Sequence, residues 1–182
     1  MIKGIVACSP EGIIAIDGQM PWNVPEDLQY FKRHTKNQVV IMGRKTWVSM
    51  GSKCLPNREN IVVSKTQGYS CIVGTDAIIK KDLLVAIDDA TLLFPNKDIW
   101  IIGGAEIYRQ TMPILDKLYL TIINKEQVCY HEGSRTYLPG YQTELKSLFT
   151  LSSETKTPYA TYQVYKRRII SLSNKETTIY QT

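Results

Sequence analysis

The chain alternates short apolar runs with stretches of helical periodicity, and this alternation limits what it can fold into. The apolar runs that predict strands are residues 2–7, 39–42, 61–63, 71–73, 99–102 and 118–123. Helices are predicted over 25–35, 45–50 and 82–93, with a short one after Gly103-Gly104. Parallel strands need a crossover between them, usually a helix, so the pattern predicts an α/β fold with a mostly parallel sheet. Two further β-like runs, 149–156 and 159–167, flank Thr157-Pro158 and predict a C-terminal hairpin.

Composition favours one globular domain and a small anionic ligand. The 182 residues are 43% hydrophobic and 21% charged, which is ordinary for a chain that buries its own core. Residues 169–182 turn polar, and we expect a loosely held tail there after a domain of 1–168. The net charge of +5 is spread along the chain, and its one dense run, 166–168, is typical of a solvated strand end. We therefore expect no nucleic-acid partner, whereas a phosphorylated cofactor suits the excess of positive charge.

Cysteine and histidine usage argues against a metal centre. Four scattered cysteines and two histidines offer no ligand spacing for zinc, and no disulfide framework is expected in a chain of this size. The apolar run at residues 5–8 is too short for a signal or membrane segment. We expect reduced thiols, no membrane association and a cytoplasmic location.

The most informative local segment is Met20-Pro21-Trp22-Asn23-Val24-Pro25-Glu26-Asp27-Leu28. A proline-stiffened loop leads into an amphipathic helix, and helical spacing places Asp27, Leu28 and Phe31 near one face. A carboxylate among apolar side chains suits a flat, cationic ligand. Asp27 also suits the helix dipole as a first-turn acid, with Pro25 near N1. The segment alone leaves both interpretations open.

Two strand-to-helix turns have the composition of phosphate sites. Gly43 ends one strand and is followed by Arg44-Lys45-Thr46, and Gly103-Gly104-Ala105-Glu106 repeats the arrangement later in the chain. Glycine permits close approach of a ligand to the backbone, and free N–H groups at helix starts favour anions. Neither a Walker A loop nor a GxGxxG fingerprint is present. A P-loop kinase and a Rossmann dehydrogenase are therefore excluded.

In this order and spacing, the motifs resemble the dihydrofolate reductase family, most closely its short monomeric bacterial and bacteriophage form. The resemblance runs from Met1 to about Arg168. It depends on residues 5–7, 20–28, 40–46, 55–58, 61–64, 102–108 and 119–121. It implies an eight-stranded, mostly parallel central sheet with a C-terminal antiparallel hairpin, flanked by about four helices.

The family also implies a role for each matching residue. The catalytic residues would be Asp27, Trp22, Thr121 and Tyr108. Asp27 would bind the pterin, the Thr121 hydroxyl would be its buried partner, and Trp22 would hold an ordered water near it. Tyr108 would lie beside the meeting point of pterin and nicotinamide. The substrate-binding residues would be Ile5, Leu28, Phe31, Met50, Leu55, Arg58 and Ile102. The cofactor-binding residues would be Ala7, Met20, Gly43, Arg44, Lys45, Thr46, Ser64, Lys65, Gly103, Gly104, Ala105, Glu106 and Ile107. In this family the Gly-Gly peptide is often cis.

The implied reaction is reduction of 7,8-dihydrofolate to 5,6,7,8-tetrahydrofolate with NADPH and without a metal. Hydride would reach C6 and water would protonate N5, and the product would supply one-carbon carriers for thymidylate and purine synthesis. Residues 15–22 would form a lid with hinges at Gly12 and Gly18. Diaminopyrimidine or methotrexate-type antifolates would bind the same site, and we expect a monomer.

Three departures from the family pattern affect these expectations. Many relatives hold the lid with the acid of a Gly-Asp-Thr element, whereas this chain reads Gly133-Ser134-Arg135. Ser134 offers only a neutral acceptor there, so a weaker hold on the lid is expected. Glu106 stands where some relatives carry a basic residue, and residues 74–98 are longer than the bacterial minimum.

Two rival functions remain open on the sequence alone. The pyrimidine reductase of riboflavin synthesis shares the fold and NADPH, but lacks the pairing of Asp27 with Thr121. The second rival is a binding or assembly protein that has kept the fold but has lost catalysis. The complete set of Asp27, Trp22, Arg58 and Thr121 argues against lost catalysis.

Overall fold

A computed structural model of the chain describes residues 1–65 and 76–168. Its strands are β1 (Ile2–Cys8), β2 (Ile13–Ile16), β3 (Val39–Gly43), β4 (Glu59–Val63), β5 (Ile78–Lys80), β6 (Ile99–Ile101), β7 (Lys117–Ile123), β8 (Arg135–Tyr137), β9 (Phe149–Lys156) and β10 (Ala160–Arg167). Its α-helices are α1 (Pro25–Thr35), α2 (Arg44–Ser49), α3 (Leu83–Leu93), α4 (Ala105–Thr111) and α5 (Glu144–Leu148). The strand predicted over 71–73 and the tail predicted over 169–182 lie outside the described residues.

Eight strands form one sheet in the order β5-β4-β3-β6-β1-β7-β10-β9. The pairings from β5 through β7 are parallel, and β10 joins β7 and β9 by antiparallel pairing. The predicted fold is confirmed. The described residues include five α-helices rather than about four. The additional helix, α5, is only five residues long and follows a polar stretch, so it carries no helical periodicity that the sequence could show.

Strands β3 and β6 carry no polar side chain, as expected of strands in a sheet that helices cover on both faces. On one face, Ile41, Ile61 and Ile101 pack with Leu83 of α3 and Ile107 of α4. The alternate residues of the same strands enter a second cluster. That cluster contains Val40, Val62 and Trp100, with Phe31 of α1 and Trp47 of α2 packed among them.

The basic run at 166–168 is not simply the solvated end that its sequence predicted. The Arg167 guanidinium donates to the carbonyls of Leu115 and Met112, at 2.5 Å each. Arg168 donates to the carbonyl of Phe149 across 3.0 Å. Both arginines thus bind backbone carbonyls of neighbouring segments. Among the described residues, no helix has the length and apolar character needed to cross a membrane.

Candidate active site

The C-terminal ends of four neighbouring parallel strands meet at one edge of the sheet. Ala7 lies near the end of β1, Ile102 follows β6, Gly43 ends β3 and Ser64 follows β4. In open α/β sheets, ligands bind at this edge. The topology therefore brings together residues that lie far apart in the sequence but were assigned to one site.

The two glycine turns are in direct contact with each other. The Gly43 N–H donates to the carbonyl of Gly103 across 2.7 Å. A Cβ on Gly104 would lie 3.1 Å from Thr46 Oγ1, and one on Gly43 would lie 3.2 Å from a side-chain carbon of Ile107. The Gly103-Gly104 peptide is cis, as expected. We call this pair of turns, residues 43–46 and 103–104, the glycine cradle.

Basic side chains flank the glycine cradle. Arg44 and Lys45 start α2, and Lys65 is exposed beyond the end of β4. No carboxylate within the described residues forms a salt bridge with any of the three. Cations that form no salt bridge with a described carboxylate, beside closely packed glycine turns, suit the phosphates of a dinucleotide. The residues present therefore fit NADPH.

Glu106 lies at this edge, but its charge is balanced within α4. Arg109 donates to its carboxylate across 2.9 and 2.6 Å, and Gln110 donates across 2.6 Å. These bonds, together with the positive charges of Arg109 and Lys65, lower the pKa of Glu106 to about 2. The acid that replaces a basic residue of some relatives is thus paired with a cation one helical turn away.

Asp27 extends from the first turn of α1 towards β7. It accepts a hydrogen bond from the hydroxyl of Thr121, a buried residue that pairs with Ala7 in the sheet. Burial raises the pKa of Asp27 more than the Thr121 hydrogen bond lowers it, and the charge of Glu26 raises it further. The predicted pairing of helix carboxylate and strand hydroxyl is therefore present.

Trp22 and Tyr108 stand on either side of the end of β1. The Trp22 side chain is buried with Ala7 against it, and no described residue accepts a hydrogen bond from its indole N–H. The Tyr108 hydroxyl donates to the carbonyl of Ile5 across 2.7 Å. Burial raises the pKa of Tyr108, so its hydroxyl stays protonated and remains a donor.

A second part of the site is a cavity of about 290 Å³ between α1 and the segment before β4. Its lining residues are Leu28, Phe31, Lys32, Lys36, Leu55, Pro56, Asn57 and Arg58. Arg58 is held by bonds from its guanidinium to Thr35 Oγ1 at 2.8 Å and to the carbonyl of Pro56 at 2.7 Å. The structure thus brings together four predicted substrate residues, Leu28, Phe31, Leu55 and Arg58. Met50 and Leu55 pack against the cluster that holds Ile5 and Ile102.

Four lining residues of this cavity were not assigned from the sequence, namely Lys32, Lys36, Pro56 and Asn57. Lys32 and Lys36 follow Leu28 at successive four-residue intervals, so the helical period that placed Leu28 could have found them. Met20, in contrast, is 62% exposed. Its predicted contact with the nicotinamide stays a prediction.

The hold on the lid differs from the expectation drawn from Ser134. The Ser134 backbone N–H donates to Asp17 Oδ1 across 2.8 Å, and the Asp17 N–H donates to the Ser134 carbonyl across 2.9 Å. The carboxylate that holds this contact belongs to the lid and not to the opposing loop. The acid of this contact is Asp17 of the predicted lid, whereas the resemblance implied an acid in the facing loop.

The fold and this site together define a nucleotide-dependent oxidoreductase with a half-buried carboxylate at the strand edge that holds the glycine cradle. Comparison with known proteins specifies the class: the chain belongs to the dihydrofolate reductase family, whose model, described as Dihydrofolate reductase, matches residues 1–171. It is an NADPH-dependent oxidoreductase.

Individual relatives agree with this assignment. A dihydrofolate reductase of Buchnera aphidicola subsp. Baizongia pistaciae is 37% identical over 172 residues, which cover 91% of this chain and 98% of the relative. That of Haemophilus influenzae is 41% identical over 123 residues, 67% of this chain and 71% of the relative. A solved dihydrofolate reductase from Enterococcus faecalis, complexed with NADP(H) and RAB-propyl, superposes with a TM-score of 0.77 at 26% identity, covering 93% of this chain and 97% of that one.

Proposed function

We propose that the protein reduces 7,8-dihydrofolate to 5,6,7,8-tetrahydrofolate, and so supplies one-carbon carriers for thymidylate and purine synthesis. The observation that carries the proposal is the half-buried carboxylate of Asp27, hydrogen-bonded to Thr121, at the strand edge that also holds the glycine cradle. A carboxylate in this position binds the flat, amidine-like edge of a pterin. The glycine cradle at the same edge binds the phosphates of NADPH.

Asp27 orients the pterin and favours its protonated form. Its two oxygens accept two N–H donors of the ring edge, a charge-assisted bidentate contact. Its negative charge favours protonation at N5, and water delivers the proton because Asp27 binds the opposite edge of the ring. The buried indole N–H of Trp22, which no described residue accepts, holds an ordered water near the carboxylate.

The glycine cradle and the basic residues around it bind the cofactor. NADPH supplies the hydride that reduces C6 of the substrate. Arg44, Lys45 and Thr46 contact the pyrophosphate together with the backbone of Gly103 through Ile107. Ser64 and Lys65, with Arg44, contact the 2′-phosphate and so select NADPH over NADH. Ala7 and Met20 border the nicotinamide, and Tyr108 lies beside it.

The cavity beside α1 binds the rest of the substrate. Leu28, Phe31, Met50 and Leu55 contact the aminobenzoyl ring. Arg58 is held in place by Thr35 and Pro56, so its planar fork can meet the glutamate carboxylate without further ordering. The carbonyls of Ile5 and Ile102 border the pterin. Diaminopyrimidine and methotrexate-type antifolates occupy the same slot.

Further parts of the proposal concern the state of the protein. The catalytic domain comprises residues 1–168, followed by a separate tail of 169–182. It acts as a cytoplasmic monomer without a nucleic-acid partner.

The direct test is oxidation of NADPH followed by its absorbance, with and without dihydrofolate. We expect oxidation that depends on dihydrofolate and is abolished by a diaminopyrimidine inhibitor. Oxidation with the aminopyrimidine intermediate of riboflavin synthesis, but not with dihydrofolate, would identify the rival reductase. Binding of NADPH and dihydrofolate without turnover would identify a binding protein instead.

A further inference from the structure

A cleft separate from the candidate active site lies between α1 and the hairpin of β9 and β10. Its volume is about 530 Å³, within the range of roughly 300 to 1,000 Å³ that is usual for small-molecule sites. It is lined on one side by Glu26, Gln29, Tyr30 and Arg33, and on the other by Ser153, Thr155, Thr157, Tyr162 and Val164. The proposed reduction uses none of these side chains.

Both walls of the cleft follow from the periodicity of their elements. The α1 residues have i, i+3, i+4 and i+7 spacing and therefore share one face of the helix. Glu26 and Arg33 lie two helical turns apart, about 10 Å along the axis at about 1.5 Å per residue. On the hairpin, Thr155 and Tyr162 are directly paired, so their side chains share the face of the sheet towards α1. A helix wall with a charge at each end thus faces a sheet wall rich in hydroxyl groups.

The two charged groups of the helix wall are available to a ligand. In the part of the chain that the structure describes, neither Glu26 nor Arg33 forms a salt bridge. The Arg33 guanidinium lies over the Tyr30 ring, 5.4 Å from its centroid. A stacked guanidinium still presents its N–H edge to an anion. One end of the cleft therefore suits an anion, and the other end suits a group with N–H donors.

Tyr162 places a buried hydroxyl beside the Glu26 end of the cleft. The side chain is 7% exposed, and its hydroxyl has no hydrogen-bond partner of ordinary length among the described residues. Burial raises the pKa of Tyr162, and the nearby Glu26 carboxylate raises it further, so the hydroxyl stays protonated and remains a donor. Because buried polar groups in native structures are almost always paired, an occupant of the cleft, whether water or ligand, has to accept this hydrogen bond.

We propose that the cleft is a second ligand site, which binds a guanine nucleoside monophosphate. The two N–H groups on one edge of guanine match the two oxygens of Glu26 in a charge-assisted bidentate contact. The carbonyl on the same edge of the base accepts the hydrogen bond of the Tyr162 hydroxyl. At the other end of the cleft, Arg33 binds the phosphate with its planar fork.

The middle of the cleft suits the flat base and the sugar. The rings of Tyr30 and Tyr162 are 4.6 Å apart between centroids and give an aromatic surface for the base. The hydroxyls of Ser153 and Thr155 line the opposite wall, where they bind the ribose. A simple anion would use only the end with the guanidinium, and an ammonium group would use only the end with the carboxylate. A nucleotide uses both ends and the rings between them.

The cleft is next to the candidate active site but distinct from it. In the sheet, Tyr162 pairs with Thr121, whose hydroxyl bonds to Asp27. Tyr162 itself lies beside Glu26, so two consecutive residues of α1 belong to different sites. Ligands of the active site therefore leave the cleft free, and binding to the cleft can be measured while they are bound.

The test is titration of the protein with guanosine monophosphate (GMP), followed by calorimetry and by amide chemical shifts. Saturating NADPH and a diaminopyrimidine inhibitor keep GMP out of the cofactor and pterin sites. We expect saturable binding, with shift changes in residues 26–33 and 153–164. Guanosine, which lacks the phosphate, and AMP, which lacks the paired N–H edge, should each bind at least about tenfold more weakly.

Variants of the cleft show whether GMP binds there. Glu26→Gln and Arg33→Ala should each weaken GMP binding at least about tenfold, because each removes a charge-assisted contact. Tyr162→Phe removes a neutral hydrogen bond and should weaken binding about threefold. Lys81→Ala removes an exposed cation outside the cleft and is the matched control, so it should leave the affinity unchanged. Thermal unfolding of each variant checks that it is folded.

Three results would overturn the proposal. The first is the absence of saturable GMP binding to the native sequence. The second is an affinity that survives both Glu26→Gln and Arg33→Ala, since GMP would then bind elsewhere. The third is inorganic phosphate that binds as tightly as GMP, which would reduce the cleft to an anion site at Arg33. None of these results depends on turnover, because binding is measured whether or not the protein reduces dihydrofolate.

Discussion

Replacement of Asp27 by asparagine should separate the catalytic role of this residue from its structural one. The amide keeps the shape of the carboxylate and can still accept the Thr121 hydrogen bond, but it has no negative charge. It also presents an N–H where the pterin edge presents one. The carboxylate is proposed to accept two charge-assisted bonds, each worth about 1.5 to 3 kcal/mol. Their loss corresponds to a rate decrease of about two to four orders of magnitude.

The same substitution should not destabilise the protein at neutral pH. Burial raises the pKa of Asp27, so the folded state binds its proton more tightly than the unfolded state. The contribution of Asp27 to stability is therefore full below the unfolded pKa and is lost as pH rises through the folded pKa. Asparagine does not titrate. Asp27→Asn should thus unfold at a temperature equal to or above that of the native sequence at neutral pH, and this advantage should disappear in acid.

Single-turnover hydride transfer across a pH series, together with thermal unfolding at neutral and acidic pH, checks both expectations. Residual activity of Asp27→Asn should rise as pH falls, because solvent acid then protonates the substrate. Thr121→Val is the matched variant. It removes only the hydroxyl that lowers the pKa of Asp27, so the rate profile should shift to higher pH. A neutral-pH rate near that of the native sequence in Asp27→Asn would refute the role of the carboxylate.

Three further predictions concern the rest of the site. Arg44→Ala with Lys65→Ala should lower the NADPH over NADH preference by about a hundredfold or more, since each lost charge-assisted contact costs about 1.5 to 3 kcal/mol; equal losses with both cofactors would contradict a 2′-phosphate role. Arg58→Lys should raise the KM for dihydrofolate about tenfold with little change in kcat, because lysine cannot make a bidentate contact. An unchanged KM in steady-state kinetics would exclude a bidentate contact between Arg58 and the glutamate carboxylate of the substrate. Gly103→Ala should lower the free energy of unfolding by about 1 to 3 kcal/mol in denaturant titration. The added Cβ would lie 2.8 Å from the Tyr108 ring, and alanine is strained at the φ of 103° that this position has. Unchanged stability would show that the Tyr108 ring moves aside at no cost.

The sequence predicted the central sheet well because buried parallel strands carry a strong signal. The run Val39–Gly43 has no polar side chain, and a short continuous apolar run that ends at a glycine was enough to predict a strand there. The two-stranded β2–β8 sheet was missed for the opposite reason. In β8, Arg135 and Tyr137 are exposed, so that strand carries no alternation of apolar residues to recognise. β5 is three residues long, with each residue only partly buried, and was missed for the same reason.

In the candidate site, side-chain chemistry was easier to predict than backbone contacts. The pairing of Asp27 with Thr121 follows from two recognisable residues in matching motifs. The contact between Asp17 and Ser134 could not be found in this way, because the Ser134 backbone makes it and any residue other than proline has the same N–H. The Asp17-Gly18 pair was a usable signal for a hairpin turn, but a turn does not specify its partner.

The position of β1 in the sheet has a consequence for how the chain reaches its fold. This strand lies near the middle of the sheet, yet Ile2 pairs with Ile99 and Gly4 pairs with Leu118. On the ribosome, β1 must therefore wait for both of its neighbours until Leu118 and the rest of β7 have been synthesised. Such distant pairings slow folding, and unpaired apolar strands favour aggregation in the meantime. We therefore expect the yield of folded protein to depend on chaperone capacity and on the rate of translation.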